Sequence, residues 1–365
     1  MAGRGGGGSR GLPCPDPALS GRTAAWDIAV ATDDQSQSLA LALQQASPEA
    51  AALLAGPLGA AIAEAAAYAG KSLSANTRRA YAGDWRAFSG WCRSLGQEAL
   101  PADPLLVAAH LASLAGSLGR SGLKRRLAAI AQAHRQANLP WQPGHPAIRA
   151  TLRGILASHG KPTRPAAALT SVEVKQLLRA CGTDLAGLRD RALFLLGFAA
   201  ALRRSELVAI DREHLRFTSE GMVLEIPRSK RDQEGQGARL GIPRGNNPLS
   251  CPVRAVEDWL KRARIDYGAV FRRVTAGGTL EGRLGDQGVW RILRRRAERA
   301  GITVDASERL SPHGLRAGFI TEAYLNGARD EQVMQHARQS DFNTTQSYRR
   351  RAKITAESPA RLLDL

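Results

Sequence analysis

Four cysteines, Cys14, Cys92, Cys181 and Cys251, are all that 365 residues contain, and no two stand as a CxxC pair. Neither a zinc site nor a disulfide framework is supported, and a reducing compartment fits that usage. Long apolar runs are missing too. The alanine-rich stretch from Ala50 to Gly70 is broken by Pro57 and Glu64 and is only weakly hydrophobic, which argues against a membrane span. The N-terminus, Met1-Ala2-Gly3-Arg4 followed by four glycines, lacks the apolar core of a signal peptide. A cytoplasmic protein with no membrane partner is expected. No carboxylate cluster suited to a divalent ion is apparent either, so no metal and no cofactor are expected.

Acidic residues are the scarcer charge, 33 against 51 Lys and Arg, for a formal net charge of +18. The excess is unevenly spread: residues 1–70 carry 3 basic and 6 acidic groups, residues 71–160 carry 12 and 3, and residues 161–365 carry 36 and 24. Positive charge thus collects where the chain is expected to fold. Nucleic acid is the partner that best matches it, because each neutralised phosphate releases a condensed counterion.

The length exceeds what one hydrophobic core usually serves. Residues 1–70 read as an extension, Gly- and Pro-rich and disordered to about residue 35, then alanine-rich from Ser38 to Ala69, where one or two helices broken near Pro57 are permitted. Residues 71–160 read as a helical domain. Ser74 supplies an N-cap before Tyr81, Trp85, Phe88 and Trp91, which step along one apolar face. Asp103-Pro104 opens a helix through Leu118, Ser121 precedes another, and His145-Pro146 leads into a fourth through Leu156. Arg78, Arg79, Arg86, Lys124, Arg125 and Arg126 lie on polar faces and are the candidate DNA contacts. Residues 161–168 have the proline, glycine and charge of a linker. Residues 169–365 read as mostly helical with one small sheet, its strands near Met222–Ile226 and Arg239–Ile242.

Several separated polar motifs stand out in this last part. Arg203, read as the end of the apolar helix that runs from Leu188 to Leu202, is followed three residues on by Glu206, an ion-pair partner by spacing. Lys230 lies in the polar loop between the two strands, with Arg228 and Arg231. Ser311-Pro312 is a helix-start signal that puts His313 and Arg316 on one face at the positive end of a helix, where phosphate is attracted. Tyr348 follows near the end of the chain.

In order and spacing these motifs resemble the tyrosine recombinases, also called the phage integrase family. Leu202-Arg203-Arg204-Ser205-Glu206-Leu207 resembles the first arginine motif, Lys230 falls at the β-hairpin lysine, His313-Gly314-Leu315-Arg316 matches His-x-x-Arg, and Tyr348 matches the nucleophile. The similarity covers about residues 71–365. It implies a mainly α fold with a small β-sheet: an all-helical core-binding domain followed by an α+β catalytic domain. It also implies a homotetramer that cuts and rejoins double-stranded DNA. Tyr348 would form a 3′-phosphotyrosyl bond, Arg203 and Arg316 would grip the phosphate, Lys230 would protonate the leaving oxygen, and His313 and Glu206 would assist. One position departs from the pattern. Nine residues before the tyrosine, where the family has His or Trp, this chain has Gln339, with Thr344 and Thr345 keeping the register. Either Gln339 substitutes, or His336 reaches in from the preceding helix. Two other readings stay open, a catalytically impaired DNA-binding factor derived from an integrase and a type IB topoisomerase-like enzyme.

Overall fold

The computed structural model describes residues 73–226, 237–339 and 341–352, with isolated positions at 59–61, 64, 358, 360 and 363. The expectations for residues 1–58 and for Lys230 lie outside the described residues. By internal packing the chain divides into two units, Met1–Pro162 and Thr163–Leu365. No described helix is long and apolar enough to cross a membrane.

The first unit has helices α1 (Ala75–Ser94), α2 (Pro104–Ser113), α3 (Arg120–Gln136) and α4 (Pro146–His159). The Ser74 hydroxyl accepts from the Thr77 N–H at 3.2 Å, and the Asp103 carboxylate accepts from Leu105 and Leu106, so two of these helices begin at side-chain caps. Trp85, Phe88, Leu111, Leu123, Ile130 and Ile148 face inward as one core. Helix α2 stops at Ser113 rather than Leu118, because the chain turns through Gly116 at φ +77°, a left-handed backbone that glycine adopts freely. Helix α3 begins at Arg120 behind Gly119, which places Ser121 inside the helix rather than ahead of it.

Two histidines are buried here. The Nε2 of His134 accepts from the Ala102 N–H at 3.0 Å, and its Nδ1 lies 2.8 Å from the Ile130 carbonyl, an arrangement that requires the neutral ring. His110 packs between the Phe88 and Trp91 rings, with centroids 5.1 and 4.9 Å away. Burial, with the nearby Arg126 charge, pushes His110 down to about 4, and burial lowers His134 as well.

The second unit is built on α6 (Leu185–Ala199), whose middle turns from Ala192 to Leu196 are buried on every side. Around it pack α5 (Ser171–Arg179), α7 (Arg204–Ala209), α8 (Pro252–Ala263) and α10 (His313–Leu325). Strands β1 (Leu215–Phe217), β2 (Gly221–Ile226) and β3 (Ala238–Pro243) form an antiparallel sheet in that order, with Leu224 opposite both Leu215 and Leu240. A hairpin of β4 (Arg272–Val274) and β5 (Leu280–Arg283) precedes α9 (Asp286–Arg299). Helices α11 (Asp330–Ala337) and α12 (Phe342–Ala352) follow α10.

Asp190 on α6 is fully buried. Its two carboxylate oxygens are taken by Arg189 and by Arg296 of α9, which is how a carboxylate survives inside a core. Helix α10 runs against the segment Ala167–Leu169 at backbone distance. The Leu169 N–H donates to the Gly314 carbonyl at 2.9 Å, and a Cβ at Gly318 would come within 1.8 Å of the Leu169 carbonyl oxygen. That contact fixes the helix that begins at His313.

Candidate active site

Arg203 does not end a helix. Helix α6 stops at Ala199, and the chain turns through Ala201, a non-glycine residue at φ +46°. The Leu202 N–H donates to the Gly197 carbonyl and the Ala201 N–H to the Phe198 carbonyl, a Schellman turn. Arg203 is then the N-cap of α7, where the Glu206 carboxylate reaches back to the Arg203 N–H at 2.9 Å and also takes the Arg203 guanidinium. The spacing therefore produces the expected ion pair, but at a helix start.

His313 is the first residue of α10, and Arg316 follows one turn later on the same helix. Arg316 is only 1% exposed, and its Nη1 donates to the Ala201 carbonyl at 2.7 Å. Tyr348 comes from α12 and is 6% exposed, with its hydroxyl 2.9 Å from the Nε2 of His313. The tyrosine packs with Ala201, Ala317, Ile320 and Tyr324 in a small apolar cluster. Helix α12 is held by Asp330 at the start of α11, whose carboxylate accepts from the Tyr324 hydroxyl at 2.8 Å, from Gln346 at 2.9 Å and from Arg349 at 3.3 Å.

Electrostatics bind this group together. Burial and the Arg203 guanidinium pull Arg316 down to about 10, while Glu206 and the Tyr348 phenolate work the other way. The attraction is mutual, so the arginine that favours the phenolate is favoured by it. At Glu206 burial opposes ionisation. The Arg338 guanidinium, the Arg203 N–H and the Arg203 guanidinium outweigh it and hold the carboxyl below its ordinary value.

Gln339 and His336 are placed differently. The Gln339 carboxamide oxygen accepts from the Thr345 hydroxyl at 2.9 Å, which ties it to the helix that bears Tyr348 and leaves its NH2 as the donor it offers. The His336 ring stacks on Phe319 at 4.6 Å and 19°, with its Nε2 2.8 Å from the Ala199 carbonyl at the end of α6. It is spent on backbone and core. Sequence reading missed Arg338, which donates to Glu206 at 3.0 Å. The only signal was its place beside Gln339.

In the first unit, considered alone, Arg125 grips the buried Asp84 through two nitrogens at 2.6 and 3.1 Å, and Arg126 donates to the Asp84 carbonyl at 3.0 Å. Both arginines therefore join α3 to α1, and Arg125 keeps half its side chain in solvent. Arg79 bonds to Asn76, Arg86 lies 3.4 Å from the Ala82 carbonyl, Lys124 is exposed, and Arg78 is half-buried. Among the described residues no group of three His, Cys, Asp or Glu comes together in the manner of metal ligands.

Residues 167–354 match the family model described as the phage integrase family. An integrase/recombinase XerD homolog of Selenomonas ruminantium is 36% identical, over 69% of this chain and 75% of its own length. The tyrosine recombinase XerD of Pseudomonas aeruginosa is 30% identical, over 81% and 91%. Among solved structures, a XerH site-specific recombinase bound to a palindromic difH substrate superposes with a TM-score of 0.58 at 14% identity, covering 81% of this chain and 82% of that one. A lambda integrase dimer bound to a COC′ core site gives 0.52 at 15%, covering 77% and 91%; at such identities the likeness is one of fold. Given the family match across the unit that holds Tyr348, and a relative more than a third identical over most of both chains, the protein belongs to the phage integrase family, the tyrosine recombinases.

Proposed function

We infer that the protein is a site-specific DNA recombinase that cuts and rejoins DNA strands through a 3′-phosphotyrosyl intermediate. The observation that carries this reading is the 2.9 Å contact between Tyr348 and His313 beside the buried Arg316 guanidinium. A phenol is a weak nucleophile near neutral pH until a base or a positive field favours the phenolate, and this setting offers both.

In the proposed step the Tyr348 oxygen attacks a phosphodiester in line. Its proton passes to His313, the O–P bond forms, and the bond from phosphorus to the 5′-oxygen breaks. Lys230 returns a proton to that oxygen, and a 5′-hydroxyl leaves. Arg203 and Arg316 hold the non-bridging oxygens as charge grows, Glu206 orients Arg203, and Gln339 donates its NH2 to a phosphate oxygen. The two guanidinium groups supply the charge neutralisation that a divalent metal would otherwise give, so we assign a metal-independent reaction. The linkage stores the energy of the broken bond, and the free hydroxyl of a partner strand reverses the step without ATP. Residues 71–160 would serve as the DNA-binding domain and 169–365 as the catalytic one. Strand exchange between two duplexes needs four tyrosines, hence a homotetramer on DNA.

The test begins with covalent complexes recovered from host genomic DNA, whose mapped strand ends give the site. On a nicked duplex of that site, wild-type protein is expected to trap covalently, with or without EDTA, and Tyr348→Phe to bind without trapping. Binding without trapping by the wild type would identify a DNA-binding factor. Relaxation of supercoils with no Holliday junction would identify a topoisomerase-like enzyme.

A further inference from the structure

Arg338 is an arginine in a position that ordinarily suits glycine. It sits at φ +52° just past α11, where its N–H donates to the Gln335 carbonyl and the Gln339 N–H donates to the Met334 carbonyl, the two bonds of a Schellman turn. A long side chain is strained in that left-handed backbone. Such strain persists where the surroundings make use of it.

The side chain is 9% exposed; its Nε is buried without a partner, and its two terminal nitrogens carry its hydrogen bonds. Its Nη2 donates to Glu206 at 3.0 Å and to the Ala201 carbonyl at 3.2 Å, its Nη1 donates to the His336 carbonyl at 2.9 Å, and both terminal nitrogens lie 3.3 Å from the Ala200 carbonyl. In return, the Arg203 Nη2 donates to the Arg338 carbonyl at 3.2 Å. The buried Glu206 thus sits between two guanidinium groups, and Arg203 is aimed by Arg338 twice, through the shared carboxylate and through the main chain. The same fork closes the end of α6 that carries Ala201, the carbonyl on which Arg316 rests. Its own turn delivers Gln339. One planar cation therefore reaches three sources of the proposed phosphate grip.

We propose that Arg338 is a positioning residue for strand cleavage, which fixes Arg203 and Arg316 against the end of α6 through the Glu206 carboxylate that it shares with Arg203 and through the Ala200 and Ala201 carbonyls. This deepens the recombinase reading and rests on it. Lysine would supply charge without the planar fork that spans carboxylate and carbonyls together.

The experiment is single-turnover trapping on the nicked duplex at saturating protein across a range of pH, with gel-shift affinity and thermal melting measured beside it. Arg338→Met keeps the backbone strain and removes only the guanidinium. Its trapping rate is expected to fall about ten- to a hundred-fold with affinity nearly unchanged. The acid limb of its pH profile is expected to move to higher pH, because Glu206 loses the cation that keeps its carboxyl low. A wild-type rate in folded Arg338→Met overturns the proposal, as does a fall in rate with an unmoved acid limb, which would mark general damage. If the methionine variant fails to fold, Arg338→Lys decides. A several-fold fall in a folded lysine variant supports the proposal, and wild-type trapping overturns it. Absence of trapping by the wild type overturns this inference and the recombinase reading together, whereas normal trapping by wild type and variants overturns this inference alone.

Discussion

Gln339 stands nine residues ahead of the tyrosine and His336 twelve, and the sequence left both as candidates for the donor. Their neighbours separate them, since one is held by Thr345 on the helix of Tyr348 and the other by Phe319 and the Ala199 carbonyl. Gln339→Ala is expected to lower the rate of covalent trapping about ten- to a hundred-fold with melting unchanged. His336→Ala is expected to lower stability by about 1 kcal/mol, for a lost hydrogen bond and ring contact, while trapping per folded molecule stays near wild type. The reverse pattern in these two assays would hand the role to His336. At this scale the sequence was legible where residue type is chemistry: it singled out Arg203, Glu206, His313, Arg316 and Tyr348 by their side chains, and the fold brings Arg203 to Glu206 and His313 to Tyr348. Arg338 was not legible. Its part depends on a left-handed backbone and on carbonyls that turn toward it only once α6 and α11 are packed, and neither leaves a mark in residue order.

Among the elements, local signals foretold α1 and α10 well, because the Ser74 cap and the Pro312 just ahead of His313 act over a few neighbouring residues. Short pieces escaped. Strands β1 and β4 span three residues each, too few for an alternation to declare itself, and they exist because partner strands present open hydrogen bonds to them. Helix α7 was hidden inside what looked like the end of α6, since Ala201 takes a turn conformation that nothing about alanine announces. The close seat of α10 could be read only as a glycine at 318, and its meaning came with the Leu169 carbonyl opposite. Gly318→Ala is expected to force those backbones apart, at a cost of about 3 kcal/mol or more, visible as a large drop in melting temperature. Because α10 carries both His313 and Arg316, the surviving folded fraction is expected to trap DNA poorly. A variant with normal melting would show that the segment yields at no cost.

For the molecule as a whole, acid is expected to act on the unit of α1 to α4. His110, pushed down to about 4, and His134, also lowered, are neutral when folded and take up protons readily once unfolded. Between the unfolded value near 6.5 and the folded values, the unfolded chain binds more protons, so stability rises with pH. Their contribution is fully present above about 6.5 and is lost as pH falls toward 4. Trp85, Trp91 and Trp141 belong to this unit, and intrinsic fluorescence during an acid titration is expected to report its loss. In the double variant His110→Phe, His134→Gln the acid transition is expected to move to lower pH, and an unmoved transition would place the sensitivity elsewhere. The basic balance of the chain was plain from composition. Which arginines are free for DNA was not, because Arg125 and Arg126 had already found Asp84.

The near-complete enclosure of Tyr348 has a further consequence for the resting enzyme. At 6% exposure its ring is sheathed, whereas Tyr267 stands 76% in solvent. A nitrating reagent is therefore expected to mark Tyr267 long before it reaches Tyr348. Enclosure of this kind shields the Tyr348 hydroxyl from stray electrophiles for as long as its helix stays packed.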